Sequence, residues 1–255
     1  ESGRFTSDRR DPGQSVWRGQ EDWESGVSDG VSVVGGDLVY ESAIHPIYGS
    51  DFYFFDDWGD GGLETRDSTS EVSYNGATGQ YRPSWTTDAG SPNVVDGALE
   101  INSGDGVLCD VDLNLNEEVT WLWKNVDPRR GGTGNSDESS LQLWSESTSR
   151  LSGYPSETLY PGYLLEIRRR ASADELRLSK ILADQSVERL VFKASVSWPK
   201  DIQVKRSVSG EWRVWLGDHL VGSAVDTDLD SPQYIGFGGR SAQNIGLRVE
   251  EFVVF

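Results

Sequence analysis

Short segments rich in β-branched and aromatic residues, separated by turn residues, fill the chain from about residue 52 onward. The clearest of these segments are residues 94–101, 106–113, 119–124, 140–144, 163–168, 175–181, 190–197, 202–208, 212–216, 220–224, 234–238 and 245–255. Many alternate apolar and polar residues, which is the period of a strand with one buried face. The pattern predicts an all-β antiparallel sandwich or barrel, with at most single helical turns near 184–189 and 145–151.

One segment of the sequence occurs twice. Residues 33–42, VVGGDLVYES, match residues 94–103, VVDGALEINS, at their key positions, and an Asp-Trp pair precedes each copy. Both copies carry a short turn with Gly between apolar residues, which is the signal of a β-hairpin. Because an isolated hairpin is marginal in water, the first copy needs a neighbour. We expect residues 1–50 to form an extended attachment or oligomerisation arm and residues 51–255 to form the main domain.

The acidity of the chain limits its partners. Forty-two acidic residues against 23 basic ones give a formal charge of -19. This charge repels phosphate backbones and anionic lipids, so we expect neither nucleic-acid binding nor membrane insertion. At about 1 M salt the Debye length falls to about 3 Å and self-repulsion is screened. The composition therefore favours a halophilic host, with an ordinary acidic secreted protein as the alternative.

The last third of the chain resembles a known fold family. Residues 212–226, WRVWLGDHLVGSAVD, read as a strand, a tight Gly-Asp turn and a returning strand, and residues 247–254, LRVEEFVV, close the chain. With the DDW of 56–58 and the VVDGAL of 94–99, this pattern resembles the concanavalin A-like lectin/glucanase jelly rolls of laminin-G-like type. The resemblance covers about residues 52–255. It implies an antiparallel jelly roll in which an Asp-Asp-aromatic strand lies beside the final acidic strand.

A weaker resemblance is to the receptor-binding or fibre-tip proteins of tailed viruses that infect haloarchaea. In those proteins acidic jelly rolls follow short repeated β segments. The acidity, the partial repeat and the N-terminal arm of this chain share that arrangement. The resemblance implies an extracellular or virion-surface location and contacts through residues 1–50 with other subunits or with neighbouring virion or surface proteins.

Motifs for catalysis are missing from the sequence. Retaining glycosidases need two carboxylates about 5 Å apart, and the Glu-x-Asp-x-x-Glu pattern of the lectin/glucanase family does not occur. Of the two histidines, His219 falls at a hairpin turn, where we expect it to be solvated, and His45 precedes Pro46 in a connector. The single cysteine, Cys109, lies in an apolar alternation and is expected to be buried. We therefore expect a protein that is not an enzyme.

Calcium is the one metal that the sequence suggests, because hard cations bind several oxygens in a turn. Asp226, Asp228 and Asp230 offer alternate carboxylates, although the loop lacks the Gly and Glu of an EF-hand. If the first and last strands pair, a second set could form from both ends of the domain, namely Asp56, Asp57, Asp60 and Glu250 or Glu251. Clustered carboxylates in so acidic a chain are also consistent with a solvated surface.

Aromatic side chains are candidates for glycan contact, because sugar rings stack on flat apolar faces. Trp121 and Trp123 share one face of a strand, as do Trp212 and Val214, so some of these rings must belong to the core. The candidates expected outside the core are Trp85, Trp144, Trp198, Tyr154 and Tyr160. The basic run 168–170, with Arg168 and Arg170, could bind a sulfate or carboxylate on a glycan or simply balance nearby acids.

These observations favour a non-catalytic virion structural or receptor-binding protein whose jelly roll binds host-surface glycans or assembles particles. The missing carboxylate motif disfavours the first alternative, a secreted halophilic glycan hydrolase or its carbohydrate-binding module. The second alternative is a cellular surface or adhesion protein with the same sandwich.

Overall fold

The computed structural model describes residues 31–34, 37–40, 54–56, 58, 63, 72–74, 77–79, 85–102, 104–111, 113–128, 137–146, 161–169, 173–240 and 246–255. Within these ranges every regular element is a β-strand, and no helix is long and apolar enough to cross a membrane. The strands are β1 Val31–Val34, β2 Asp37–Tyr40, β3 Phe54–Asp56, β4 Val72–Tyr74, β5 Ala77–Gly79, β6 Thr86–Ala89, β7 Asn93–Val95, β8 Ala98–Ile101, β9 Gly106–Asp110, β10 Val119–Pro128, β11 Asp137–Ser145, β12 Gly162–Arg169, β13 Asp174–Ile181, β14 Val187–Val196, β15 Lys200–Arg206, β16 Glu211–Leu216, β17 His219–Val225, β18 Tyr234–Arg240, β19 Leu247–Val249 and β20 Glu251–Val254.

Two antiparallel sheets form a sandwich. The nine-stranded sheet has the order β17-β16-β15-β10-β19-β8-β7, with β20 pairing β10 and β3 pairing β20. The seven-stranded sheet has the order β14-β13-β12-β11-β18-β9-β6. Two short hairpins, β1-β2 and β4-β5, form two-stranded sheets of their own. The expected all-β antiparallel sandwich is confirmed.

The core between the sheets is built from the inward side chains of strands with a two-residue period. Trp121 and Trp123 on β10 are at most 1% exposed, and Trp212 on β16 is fully buried. Trp121 stacks on Trp212 at a ring-centroid distance of 5.9 Å, and Trp144 of the opposite sheet lies 5.2 Å from Trp212. Cys109 is buried, as expected. The aromatic rings thus join one sheet to the other.

The first and last strands of the domain pair as the fold resemblance implies. β20 runs antiparallel to β3, with Phe252 opposite Asp56 and Val254 opposite Phe54. The carboxylate of Asp56 is fully buried, and it accepts hydrogen bonds from the Trp58 N–H at 2.9 Å and the Trp85 indole at 2.8 Å. Asp56 therefore ties the opening strand to the aromatic core.

Both copies of the repeat form hairpins with the same register. Val34 pairs with Asp37 in the first copy, and Val95 pairs with Ala98 in the second, so two residues make each turn. In the second copy Asp96 and Gly97 have φ values of 49° and 67°, as a type I′ turn requires. The hairpin prediction is confirmed for both copies. The division at residue 50 and the attachment role of the arm stay predictions.

The single helical turn expected at 184–189 is wrong, and most of the turn expected at 145–151 lies outside the described residues. Residues 182–186 form a tight turn in which Asp184 accepts a hydrogen bond from the Ser186 N–H, and β14 begins at once at Val187. β11 continues to Ser145, and residues 147–151 lie outside the described residues, so the second turn stays a prediction. The hydrogen-bonding side chain of Asp184 mimics a helix start but closes a β-turn instead.

Two glycines, Gly162 and Gly97, differ in how much space surrounds them, so replacing each by Ala should change stability by different amounts. A Cβ on Gly162 would lie 2.2 Å from the Trp144 carbonyl oxygen and 2.9 Å from the Ser145 Cα, both backbone atoms. Gly162→Ala should therefore lower the free energy of unfolding by at least about 2 kcal/mol. Gly97 has open space around it and a φ of 67°, so Gly97→Ala should cost only about 1 kcal/mol of backbone strain. Denaturant unfolding in constant salt measures both, and the reverse ranking would contradict the close approach of β11 and β12.

Candidate functional site: the outer face of the seven-stranded sheet

The outer face of the seven-stranded sheet, turned away from the nine-stranded sheet, combines a buried apolar cluster of Leu108, Leu164 and Ile181 with polar residues on β12 and β13. On β12 Leu165 and Ile167 belong to the core, so Glu166 and Arg168 point to the opposite side. On β13 Leu176 and Leu178 are core residues, and Glu175, Arg177 and Ser179 are placed on the outer face. We refer to the outward side chains of these strands and of β14 as the β12–β14 patch, comprising Glu166, Arg168, Glu175, Arg177, Ser179, Arg189 and Phe192.

Four charged residues of this patch, Glu166, Arg168, Glu175 and Arg177, alternate in sign along each strand and across the two strands. Along each strand a Glu is followed two residues later by an Arg, and Arg168 bonds to Glu166 at 2.7 Å while Arg177 bonds to Glu175. Across the strands Glu166 lies opposite Arg177, and Arg168 lies opposite Glu175. Every charge therefore has opposite charges both along and across the strands, and the four sum to zero.

Glu166 is the buried centre of this arrangement, with only 2% of its surface exposed. One carboxylate oxygen accepts a hydrogen bond from Arg168, and the other accepts one from the Ser179 hydroxyl at 2.8 Å. A buried carboxylate is tolerated only when it is paired and hydrogen-bonded. Because both oxygens are already engaged, Glu166 serves to hold Arg168 and Ser179 in place.

An exposed aromatic ring marks the edge of the patch. Phe192 on β14 is 43% exposed and lies directly opposite Arg177 on β13. Two guanidinium groups lie over its ring, with the central carbon of Arg177 5.6 Å and that of Arg189 5.0 Å from the ring centroid. These distances fall within the range of cation–π attraction. The edge of the sheet therefore combines a flat apolar surface with two groups of N–H donors.

The middle of the outer face is lined by small groups. On β18 Ile235 and Phe237 enter the core, so Gly236 and Gly238 are that strand's contribution to the outer face. The neighbouring outward residues on β11, Ser140 and Gln142, are buried. The solvent-accessible part of the face thus lies toward β13 and β14.

Two of the aromatic residues predicted to contact a glycan lie in the core and not on the surface. The expectation that Trp85 and Trp144 lie outside the core is wrong, because they are 6% and 0% exposed. Trp85 donates to the buried Asp56, and Trp144 packs edge-on against Tyr163 at 4.7 Å. Their rings have no face left for a sugar.

The structure describes only some of the other residues predicted to contact a glycan. Trp198 is half-buried against the core, and Arg168 lies in the β12–β14 patch, paired with Glu166. Tyr154, Tyr160 and Arg170 lie outside the described residues, and their role stays a prediction. His219 is exposed at the start of β17, as expected.

The carboxylates proposed for calcium surround a lysine instead. Lys180 on β13 is 2% exposed and forms ion pairs with Asp226, with Asp228 at 2.6 Å and with Glu188 at 3.0 Å. The hydroxyl of Tyr163 donates a hydrogen bond to the other oxygen of Asp226. Calcium at Asp226 and Asp228 stays a prediction, and in this structure the Lys180 ammonium supplies the positive charge beside both carboxylates.

Burial and charge shift the pKa values of this cluster. Burial by itself would lower the pKa of Lys180, but hydrogen bonds to Asp226, Asp228 and Glu188 outweigh it and raise that pKa above its usual range. Burial would raise the pKa of Asp226, but hydrogen bonds from Lys180 and Tyr163 outweigh it and lower that pKa. Burial and then the Asp226 carboxylate raise the pKa of Tyr163 well above its usual range. The ion pair therefore stays charged and Tyr163 stays a donor at neutral pH.

The remaining calcium candidates do not converge on one point. Asp230 is exposed and accepts a hydrogen bond from Ser231, and Asp56 uses both oxygens on Trp58 and Trp85. Asp57 and Asp60 lie outside the described residues, so they stay a prediction, and Glu250 is half-buried beside β20. Within the described ranges, no three His, Cys, Asp or Glu side chains are grouped so as to hold a metal ion.

Comparison with known proteins places the fold. No protein-family model matches the sequence, and no curated protein sequence matches it. The structure is similar to the potassium-bound carbohydrate recognition domain of Emp46p, with a TM-score of 0.52 and 10% identity over 67% of this chain and 88% of that one. It is also similar to the carbohydrate recognition domain of Emp47p, with a TM-score of 0.50 and 17% identity over 81% of this chain and 99% of that one. The chain therefore has a jelly-roll, lectin-like fold.

Sequence reasoning missed Phe192, Arg177, Arg189 and Lys180. A local signal was available for part of the patch, because Glu-x-Arg occurs within the strands β12, β13 and β16 at 166–168, 175–177 and 211–213. In a strand residues i and i+2 share a face, so each pattern predicts an ion pair on one side of a sheet. No local pattern marks Lys180, whose partners come from distant parts of the chain.

The Lys180 cluster gives a quantitative test. Lys180→Met should lower the free energy of unfolding by about 3–5 kcal/mol, because it leaves the buried Asp226 without its cation. The matched control is Lys124→Met, which removes a partly exposed pair with Asp201 at 3.0 Å and should cost less than about 1 kcal/mol. Denaturant unfolding at neutral pH compares the two.

The pH dependence of the same variants checks the cause. Because the folded pKa of Asp226 is lowered from 3.8, the pair contributes stability above that pH and loses it as the pH falls through the folded pKa. The difference between wild type and Lys180→Met should therefore shrink in acid. A difference that stays constant down to the lowest pH at which both fold would contradict an electrostatic origin.

Proposed function

We propose that this chain is a non-catalytic glycan-binding protein and that the β12–β14 patch is its contact surface. The observation that carries the proposal is the exposed Phe192 ring beside hydrogen-bonding side chains that are held rigid, on a lectin-like sandwich. Sugars offer both an apolar ring face and several hydroxyls. An exposed aromatic ring bordered by the arginines Arg177 and Arg189 and by Glu175 matches both features.

Rigid positioning favours binding over catalysis at this surface. The carboxylates of the patch, Glu166 and Glu175, each bond to an arginine two residues further along the strand. Glu166 also accepts a hydrogen bond from Ser179 and is only 2% exposed, so a substrate would not reach its carboxylate. A general acid or base must reach the proton that it transfers. The patch is therefore better suited to hold a sugar than to cleave one.

We further propose that the protein works outside the cell or on a virion surface in a salty environment, as a receptor-binding, adhesion or assembly protein. The charge of -19 supports the salty setting, and the paired β1 and β2 in the N-terminal 50 residues support an arm that contacts other subunits or neighbouring proteins. A two-stranded hairpin gains stability from such a neighbour.

Glycan binding is tested on an array of neutral and charged glycans in about 1 M KCl, at which surface charge is screened. Wild type should bind at least one glycan class, and Phe192→Ala should weaken that binding about tenfold or more through loss of the stacking surface. Val225→Ala is the control, because Val225 is 74% exposed on β17 of the other sheet. Equal loss in both variants, or no bound glycan at all, would refute the proposal, and released reducing sugar would favour an enzyme.

Salt dependence tests the proposed environment. Raising KCl from about 0.1 M to about 1 M shortens the Debye length from about 10 Å to about 3 Å. The thermal midpoint should rise across this range at neutral pH because the repulsion within a chain of charge -19 is screened. The same titration near the sequence pI of 4.4 should give a much smaller rise. A midpoint that does not change with salt at neutral pH would contradict the halophilic setting.

A further inference from the structure

We propose that Arg177, Phe192 and Arg189 form a subsite for the anionic group of a glycan, either a sugar carboxylate or a sulfate ester. This inference rests on the proposed function and names the class of glycan. It follows from the charge balance of the β12–β14 patch, from the geometry around Phe192 and from the donors that remain available there.

The charges of the β12–β14 patch leave one positive charge, that of Arg189, without an ion-pair partner among the described residues. Glu166, Arg168, Glu175 and Arg177 compensate one another along and across β12 and β13. Arg189 adds a fifth charge on the same face, opposite Ser179. It is exposed, and within the described part of the chain no carboxylate forms an ion pair with it. The patch thus has a net positive charge at its β14 edge, in a protein whose overall charge is strongly negative.

The Phe192 ring contacts both guanidinium groups. Both central carbons lie within 5.6 Å of the same ring centroid. Stacking on a ring uses the flat face of a guanidinium and leaves its N–H donors directed from its edge. The ring therefore limits the freedom of two flexible side chains before any ligand arrives, which reduces the entropy lost on binding.

Donors remain available after the internal pairs are counted. Arg177 bonds to Glu175 and its Nε–H is buried, so the donors available to a ligand come from Arg189. Arg189 presents the five donors of an exposed guanidinium. Carboxylates and sulfates accept paired N–H bonds from such groups, and charge-assisted bonds are about twice as strong as neutral ones. An anionic substituent at the β14 edge would satisfy these donors while the sugar ring lies along Phe192.

The overall charge of the protein does not prevent this contact. Repulsion between an anionic glycan and distant carboxylates acts over many ångströms and is screened in salt. A contact ion pair with Arg189 acts over one hydrogen-bond length, so salt weakens it less than it weakens the long-range repulsion. At high salt, therefore, the charge close to the ligand determines binding. At low salt, the acidic residues elsewhere on the protein repel other polyanions.

Calorimetry with paired ligands tests the inference in about 1 M KCl. The probes are oligogalacturonate and its methyl ester, which differ in the carboxylate, and a sulfated galactan with its desulfated form. At least one anionic member should bind about tenfold more tightly than its neutral partner, and Arg189→Gln should remove most of that preference. Which pair shows the preference distinguishes carboxylate from sulfate as the ligand.

The control and the contrary outcomes separate the two proposals. Arg213→Gln removes an arginine paired with Glu211 on the nine-stranded sheet and should leave the preference unchanged. Thermal melts of both variants should match wild type, because Arg189 is exposed and Arg213 is only partly buried. Equal binding of the anionic and neutral partners, or a preference that Arg189→Gln keeps, would overturn the anion subsite but leave glycan binding intact. If these probes and the array glycans all fail to bind, the proposed function itself fails.

Discussion

A buried ion pair between Lys180 and Asp226 connects the two sheets and fixes the position of one strand relative to the other. Lys180 belongs to β13 of the seven-stranded sheet, and Asp226 follows β17 of the nine-stranded sheet. Tyr163 and the Trp212 indole bond to the same aspartate, at its carboxylate and its carbonyl oxygen respectively. Burying two charges is costly unless such bonds surround them. Because neighbouring strand residues face opposite ways, fixing Lys180 inward also fixes Ser179 outward beside Glu166.

The local period of the sequence was sufficient to predict the architecture. A strand shows its buried face through alternation alone, so some of the rings of Trp121, Trp123 and Trp212 could be expected in the core without a structure, and all three are buried. The turn of the second repeat copy was equally local, because Asp96 and Gly97, the two residues with positive φ, are adjacent in sequence. Even the pairing of the first and last strands followed from the fold resemblance, which summarises many such local patterns.

The candidate site could not be predicted in the same way because it depends on register between distant strands. Lys180 and Asp226 are 46 residues apart, and their meeting depends on how β13 and the end of β17 are placed across the sandwich. Trp144 and Trp85 looked like surface residues because the segments around them are polar. Both rings fill space between the sheets. Only the Glu-x-Arg pairs of the patch were visible locally, and they indicate ion pairs without indicating that two such strands would be neighbours.

The distribution of charge reconciles an acidic protein with an anionic ligand. Net charge describes long-range repulsion, which decays within a Debye length, whereas recognition depends on groups in direct contact. In the β12–β14 patch the internal pairs cancel and one arginine remains at the edge, over an exposed ring. The same salt that would relieve the self-repulsion of the fold would also remove the long-range barrier to an anionic glycan. Stability and binding would then favour the same medium, and the acidic surface would be compatible with a basic subsite.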